Sequence, residues 1–354
     1  MRELIELGKM VGPRMFVAGR GIGGRPRPPG PVEMRRLVEE RIKAGNDWVK
    51  LFASTGGFED VTGTQTLSYE EMEAAVERTH ALGARIAIHT YGPAGFRDAV
   101  RAGPDSIEHG ADVDDETLRE MARKKIWFVP TIDHNRYYID AKDEYHFAPG
   151  SEVALRDYIQ RNLDTARRAH QAGVRFAMGS DAVYSMFGQN THELEWLVKA
   201  GLTPAQALEA ATVNGAELLG NETLLGKVQA GYAADLVAVE GEPWNQIQSV
   251  IHGVRWVMKD GAVVVDKRNV GQASWPVLSR HELKLAQHTP ACPTSKAESV
   301  RCGTMVTATR HDGNSRDFGF LSRQRSRIIG RRADCRCGPG GALHSQEARS
   351  RVPQ

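Results

Sequence analysis

Four short apolar segments of this chain carry an ionisable residue within them or at their end, and this repeated design restricts the fold more than any other feature of the sequence. Trp48-Val-Lys-Leu-Phe-Ala-Ser54 holds Lys50 inside the run, while Arg85-Ile-Ala-Ile-His89, Asp105-Ser-Ile-Glu-His109 and Arg175-Phe-Ala-Met-Gly-Ser-Asp181 end in His89, His109 and Asp181. Runs this short and this apolar read as buried strands. Segments with helical spacing separate them. Val32, Met34, Leu37, Val38 and Ile42 predict a helix over 31–44, ended by Gly45. Ser68-Tyr-Glu-Glu71 has the form of a capping box opening a helix over 69–82. Further helices are predicted over 95–101, from Asp114/Asp115 through Lys125, and over 152–172.

Strands are expected near 15, 48, 86, 106, 127 and 176, with 126–132 and 175–182 as the last two and 134–151 as a long polar and aromatic loop. Strands alternating with helices predict an α/β fold with a parallel sheet and helices outside. Ionisable residues gathered at strand C-termini favour a (β/α)8 TIM-type barrel, which keeps its chemistry at that end. A doubly wound open sheet is the alternative, but no Gly-rich phosphate loop follows the first strand. Thr203-Pro-Ala-Gln206 is a second capping box, with Pro204 at the first helical position. Short segments with glycine turns over 226–239 and 250–265 then predict a small β unit. The expected division is 1–222 for the barrel, 223–267 for the β unit and 268–354 for a tail.

From about Arg268 periodicity vanishes, no lysine follows Lys296, and Ser322-Arg-Gln-Arg-Ser-Arg-Ile-Ile-Gly-Arg-Arg332 is of low complexity. A basic nucleic-acid arm, disorder and out-of-frame translation of GC-rich DNA are the three readings, the last favoured. The four cysteines, Cys292, Cys302, Cys335 and Cys337, all lie in the last quarter, so 1–290 offers no disulfide and no thiolate metal site. That pattern suits a reducing, cytoplasmic setting. A formal net charge of +2 gives no argument for a nucleic-acid or membrane partner, no apolar run approaches the ~20 residues of a membrane span, and a homo-oligomer is left open.

Each candidate site residue has a chemical and a structural reading. His89 and His109 end neighbouring strands, and neutral imidazole is a favoured ligand for zinc-like cations. Asp181 follows Gly179-Ser180 and can bind metal and accept a proton from an activated water, or it can cap a helix beginning at Ala182. Lys50 in a buried strand needs a partner or a modification. It can add carbon dioxide and become an anionic carbamate, or it can pair with Glu59, Asp60 or a strand-end acid.

Trp48-Val-Lys-Leu-Phe-Ala-Ser, Ile88-His-Thr-Tyr-Gly, Ile107-Glu-His-Gly, Met178-Gly-Ser-Asp-Ala and the run from Leu202-Thr-Pro-Ala-Gln-Ala-Leu to Ala-Thr-Val-Asn-Gly-Ala resemble the amidohydrolase superfamily, in the branch near imidazolonepropionases and metal-dependent Xaa-Pro dipeptidases. Gly231-Tyr-Ala-Ala-Asp-Leu-Val looks like that family's return into its small β-sandwich. The resemblance covers about residues 1–266. It implies a barrel hydrolase using divalent metal, usually two zincs, and cleaving a C–N bond of a small amide or dipeptide with a metal-bound hydroxide. Lys50 would be the carbamylated bridge, His89 and His109 would hold one metal, and Asp181 would bind the other and act as general base. Tyr91 would contact the substrate or pack.

Members of the family carry a His-x-His pair on their first barrel strand, and this chain has none; its first histidine is His80. Its strands therefore align with the family's third to eighth, leaving the first two strands and the leading half of the β-sandwich absent and an open sheet edge. The alternative to a hydrolase is a truncated, non-catalytic remnant that binds at most one metal, or a partner chain.

Overall fold

Val49, Leu51, Ile86, Ile88, Ile107 and Phe128 are fully buried, and runs so apolar on both faces build a sheet covered by helices on its faces. The computed structural model describes residues 1–23, 28–57, 60–146 and 150–267. The tail 268–354, expected to be disordered or out of frame, lies outside the described residues, as does Glu59.

In chain order the first part comprises α1 (Arg2–Glu6), β1 (Ile22–Gly23), α2 (Pro31–Lys43), β2 (Trp48–Phe52), α3 (Tyr69–Ala81), β3 (Arg85–His89), α4 (Pro93–Ala102), β4 (Ser106–Glu108), α5 (Asp115–Lys124), β5 (Trp127–Val129), α6 (Ile132–Asp140), α7 (Lys142–Tyr145), α8 (Ser151–Gln171) and β6 (Arg175–Phe176). The six strands form one parallel sheet in the order β1-β2-β3-β4-β5-β6. Among the described residues no ladder joins β1 to β6. The register sets Phe52 opposite His89 and His89 opposite Glu108, so the strand C-termini end level with one another.

The helix boundaries follow their caps. Ser68 accepts from the Glu71 amide while Glu71 returns a bond to the Ser68 amide, closing the expected box. The second Glu71 oxygen accepts from Gly30 N at 2.7 Å, which ties the start of α2 to α3. Asp114 caps α5 by accepting from Thr117 N.

In this part of the chain two expectations are corrected. The strand expected near residue 15 is displaced to Ile22–Gly23. Val17 does lie against the start of β2, accepting from the amides of Asp47 and Trp48 at 2.8 and 3.2 Å. Gly19 then enters the left-handed region at φ 56°, which breaks the extended run, and the ladder resumes where Ile22 faces Leu51. The loop expected over 134–151 contains α6 and α7. Thr131 makes no side-chain cap for α6; the cap comes instead from Glu193, whose carboxylate accepts from the amides of Ile132 and Asp133 at 3.0 and 2.8 Å. A contact spanning some 60 residues leaves no local signature.

After β6 come α9 (Glu193–Lys199), α10 (Pro204–Ala211) with the predicted Thr203/Gln206 capping box, and α11 (Val213–Leu218). Asn214 returns to the sheet, its Nδ2 donating to Phe176 O at 2.9 Å. The remaining elements are β7 (Leu236–Val239), α12 (Gln248–His252), β8 (Val254–Lys259) and β9 (Ala262–Asp266), with β7-β8-β9 forming an antiparallel sheet. Residues 250–252, expected to begin a strand, belong to α12. No helix among the described residues is long and apolar enough to cross a membrane.

Candidate metal and catalytic site

The C-terminal ends of β2 to β6 bring Lys50, His89, His109 and Asp181 to one place. His89 and His109 are 7% and 2% exposed, and their rings stand edge to face with centroids 4.6 Å apart. His89 also packs between Phe52 and Tyr91, at 5.3 and 5.2 Å. Burial, with the Lys50 charge and His134 adding to it, pushes the His89 imidazole down to about 3. Burial, His89, Lys50 and His134 hold His109 well below its ordinary value. Both rings are neutral at physiological pH, the form that can ligate a cation.

Which His109 nitrogen is free follows from its neighbour. The Thr131 hydroxyl donates to Pro130 O at 2.8 Å, so its oxygen can only accept from His109 Nδ1. The proton therefore sits on Nδ1 and the lone pair on Nε2. Nε2 is the atom 4.0 Å from Asp181 Oδ2.

His134, in the first turn of α6, completes the cluster. Its Nδ1 donates to the main-chain oxygen of Asp181 at 2.7 Å, and its Nε2 lies 3.4 Å from Asp181 Oδ2. One imidazole thus holds the Asp181 backbone and lies beside its carboxylate. Sequence reasoning missed His134 because it placed the residue in a loop. The available signal was its position shortly after the apolar run 126–129, the same relation to a strand that marks His89 and His109.

Lys50 Nζ forms an ion pair with Glu108, a strand-end acid, and the other Glu108 oxygen accepts from Ser106 Oγ at 2.6 Å. Asp181 does not cap a helix: the residues that follow it are irregular until a single 3-10 turn at Tyr184–Met186. Tyr91 is 1% exposed, stacks on Tyr158 with centroids 4.5 Å apart, and donates its hydroxyl to Asn135 Oδ1 at 3.4 Å.

Three of the positive-φ non-glycine residues lie here. His109, Thr131 and Asp181 have positive φ of 66°, 48° and 46°, a conformation that costs a non-glycine residue of order 1 kcal/mol or more and persists at sites that need it. Gly179 permits close approach: a Cβ there would lie 2.4 Å from Val129 Cγ1.

The donor set suits a cation in part. His89 and His109 present neutral imidazoles, and Lys50 as a carbamate would add an anionic oxygen ligand. Among the described residues no group of three His, Cys, Asp or Glu side chains is placed to hold a metal ion.

A TIM-barrel-like α/β fold, with basic, imidazole and carboxylate groups at the C-terminal ends of its strands, places this chain among the proteins that work at that end of a parallel sheet. The sequence profile of the amidohydrolase family matches residues 1–264, and the chain belongs to that family. It is 30% identical over 223 residues to ochratoxinase of Aspergillus niger, covering 62% of this chain and 46% of that protein. It is 27% identical over 245 residues to imidazolonepropionase of Symbiobacterium thermophilum, covering 66% and 52% respectively. The chain thus spans about half the length of these curated relatives. A Xaa-Pro dipeptidase solved with methionine in its active site superposes with a TM-score of 0.68 at 32% identity, over 75% of this chain and 71% of that one.

Proposed function

We propose that the chain acts as a metal-dependent hydrolase of C–N bonds in small amides, with dipeptides as the first substrate class to try. The observation that supports this is the meeting of His89, His109, Lys50 and Asp181, with both imidazoles neutral and Nε2 of His109 left with its lone pair. Similarity to ochratoxinase and to a Xaa-Pro dipeptidase points the same way. Divalent cations, zinc foremost, would be held by His89, His109, carbamylated Lys50 and Asp181. When bound, they would polarise the scissile carbonyl and bring the pKa of water towards neutrality. Asp181 takes the proton of the attacking water and passes it to the leaving nitrogen. His134 holds the Asp181 backbone through Nδ1 and so positions the carboxylate beside its ring. Thr131 fixes the tautomer of His109, and Tyr91, stacked on Tyr158, packs against the His109 ring.

A second reading rests on the absence, among the described residues, of a group of three His, Cys, Asp or Glu ligands: a non-catalytic chain that binds at most one cation through Lys50, His89 and His109. One experiment decides between them. Purified chain is loaded with zinc in the presence of bicarbonate, analysed for bound metal, and assayed on Xaa-Pro dipeptides and an aryl amide beside Asp181→Asn. Hydrolysis that needs zinc and falls about 100-fold or more in the variant supports the hydrolase. One bound zinc with no turnover supports the second reading, and no bound zinc overturns the hydrolase.

A further inference from the structure

Helix α6 begins without a cap of its own. Its N-cap residue, Thr131, sits in the left-handed region and makes no side-chain bond to the helix. A threonine at that position ordinarily accepts from an amide of the first turn. Here its oxygen instead accepts from His109 Nδ1, and its proton goes to Pro130 O. The acid of the first turn, Asp133, is also committed elsewhere, accepting from Arg136 Nε at 2.7 Å and from Trp196 Nε1 at 2.8 Å. Two buried amides, those of Ile132 and Asp133, would be left without partners, and orphaned donors of this kind are costly. Glu193 supplies both bonds from the first turn of α9, with its side chain fully buried.

We infer that Glu193 is a positioning residue for the site: by capping α6 from another element, it frees Thr131 to hold the His109 ring with its lone pair on Nε2. The chain of contacts runs from Glu193 to the start of α6, from Thr131 to His109, and along the same first turn to His134 and Asp181. Burial and the nearby Asp133 push the carboxyl up to about 8. A neutral acid still accepts through its carbonyl oxygen, so a glutamine can do part of the same work.

The inference rests on the reading of His109 as a site residue but not on turnover, and its test is made on the metal-free chain. The 15N shifts of the His109 ring report which nitrogen carries the proton, and amide exchange at Ile132 and Asp133 reports the cap. Glu193→Ala is expected to speed exchange at both amides about tenfold or more and to replace the fixed Nδ1–H pattern of His109 by an averaged one, as Thr131 turns back to the helix. Glu193→Gln is expected to restore the fixed pattern. Leu197→Ala, a buried change one turn further along α9, should lower thermal stability without moving the His109 shifts. Should Glu193→Ala fail to fold, Glu193→Asp, whose carboxylate is one methylene short of the two amides, is read in the same way. Fast exchange at the two amides with the His109 pattern unchanged would overturn the inference, as would an equal disturbance in Leu197→Ala. If wild type binds no zinc and cleaves no amide, the proposed function fails while these readings still decide the role of Glu193.

Discussion

Replacing Lys50 by methionine separates the two roles open to that lysine. Its ammonium pairs with Glu108, and 23% and 13% of the two side chains are exposed. Glu108 has a further donor in Ser106 Oγ at 2.6 Å. Lys50→Met therefore leaves a mostly buried carboxylate with one hydroxyl. Breaking a fully buried pair from one side costs about 3–5 kcal/mol, and the residual exposure here lowers this to about 2–3 kcal/mol. At ~2–4 °C per kcal/mol for a unit of this size, the melting temperature falls by roughly 5–10 °C. Adding Glu108→Gln removes the stranded charge and recovers a part of that loss, about 1–2 kcal/mol by the double-mutant cycle. Zinc titration in bicarbonate then gives the second half of the answer. A carbamate forms only on a neutral amine, so Glu108→Gln, which releases Lys50 from its counter-ion, should bind zinc at least as tightly as wild type. Lys50→Met should lose at least ~100-fold in affinity, since loss of groups merely supporting metal ligands already costs 10–100-fold. Equal zinc affinity in wild type and Lys50→Met, with or without bicarbonate, would refute the carbamate role and leave Lys50 as the ion-pair partner alone.

Three other outcomes are expected. Glu193 is raised from 4.5 to about 8 in the folded chain; its contribution is fully present below pH 4.5 and is lost as pH rises to about 8. The difference, 8 − 4.5, corresponds to at most about 5 kcal/mol, so the stability gap between Glu193→Gln and wild type should widen in favour of the variant between pH 5 and pH 8.5. Urea titrations at the two pH values check this, and a constant gap would contradict it. Ser68→Ala removes the hydroxyl half of the α3 capping box and should cost about 1 kcal/mol by chemical denaturation, with no change in zinc affinity. His134→Ala deletes the hydrogen bond that holds the Asp181 backbone; in a zinc-loaded enzyme kcat should fall about tenfold or more with KM little changed, and a change in KM alone would argue against this positioning role.

The parts of this fold that could be read in the sequence are those whose cause is local. A buried parallel strand is an apolar run, so β2 to β5 were visible, and the residues closing those runs were visible with them. Ser68 with Glu71 and Thr203 with Gln206 write their caps within four residues. Lys50 was legible as a lysine in need of a partner, but its partner was not: Glu108 lies on another strand, and only the register of β2, β3 and β4 brings the two together. Tyr91 offered the same difficulty, since the ring that covers it, Tyr158, comes from α8.

The hidden parts of the site share one physical reason. Thr131 follows an apolar run and precedes a helix, where a threonine should announce the helix by capping it. It is bonded to His109 instead, so the helix went unannounced and His134 with it. Segment 134–151 looked irregular because the residue that would have marked its start serves another side chain, and the replacement cap, Glu193, stands 60 residues away. A helix whose own cap residue is turned towards a buried imidazole breaks a local rule, and such breaks are expected where chemistry has the stronger claim on the residue. The same holds for the left-handed backbone at His109, Thr131 and Asp181. None of the three is a glycine or an asparagine, so sequence offers no sign of it, yet all three positions fall where side chains must converge at the ends of β4, β5 and β6. Within the site, the signals that stayed hidden are thus those whose cap or backbone is set by a side chain from another element.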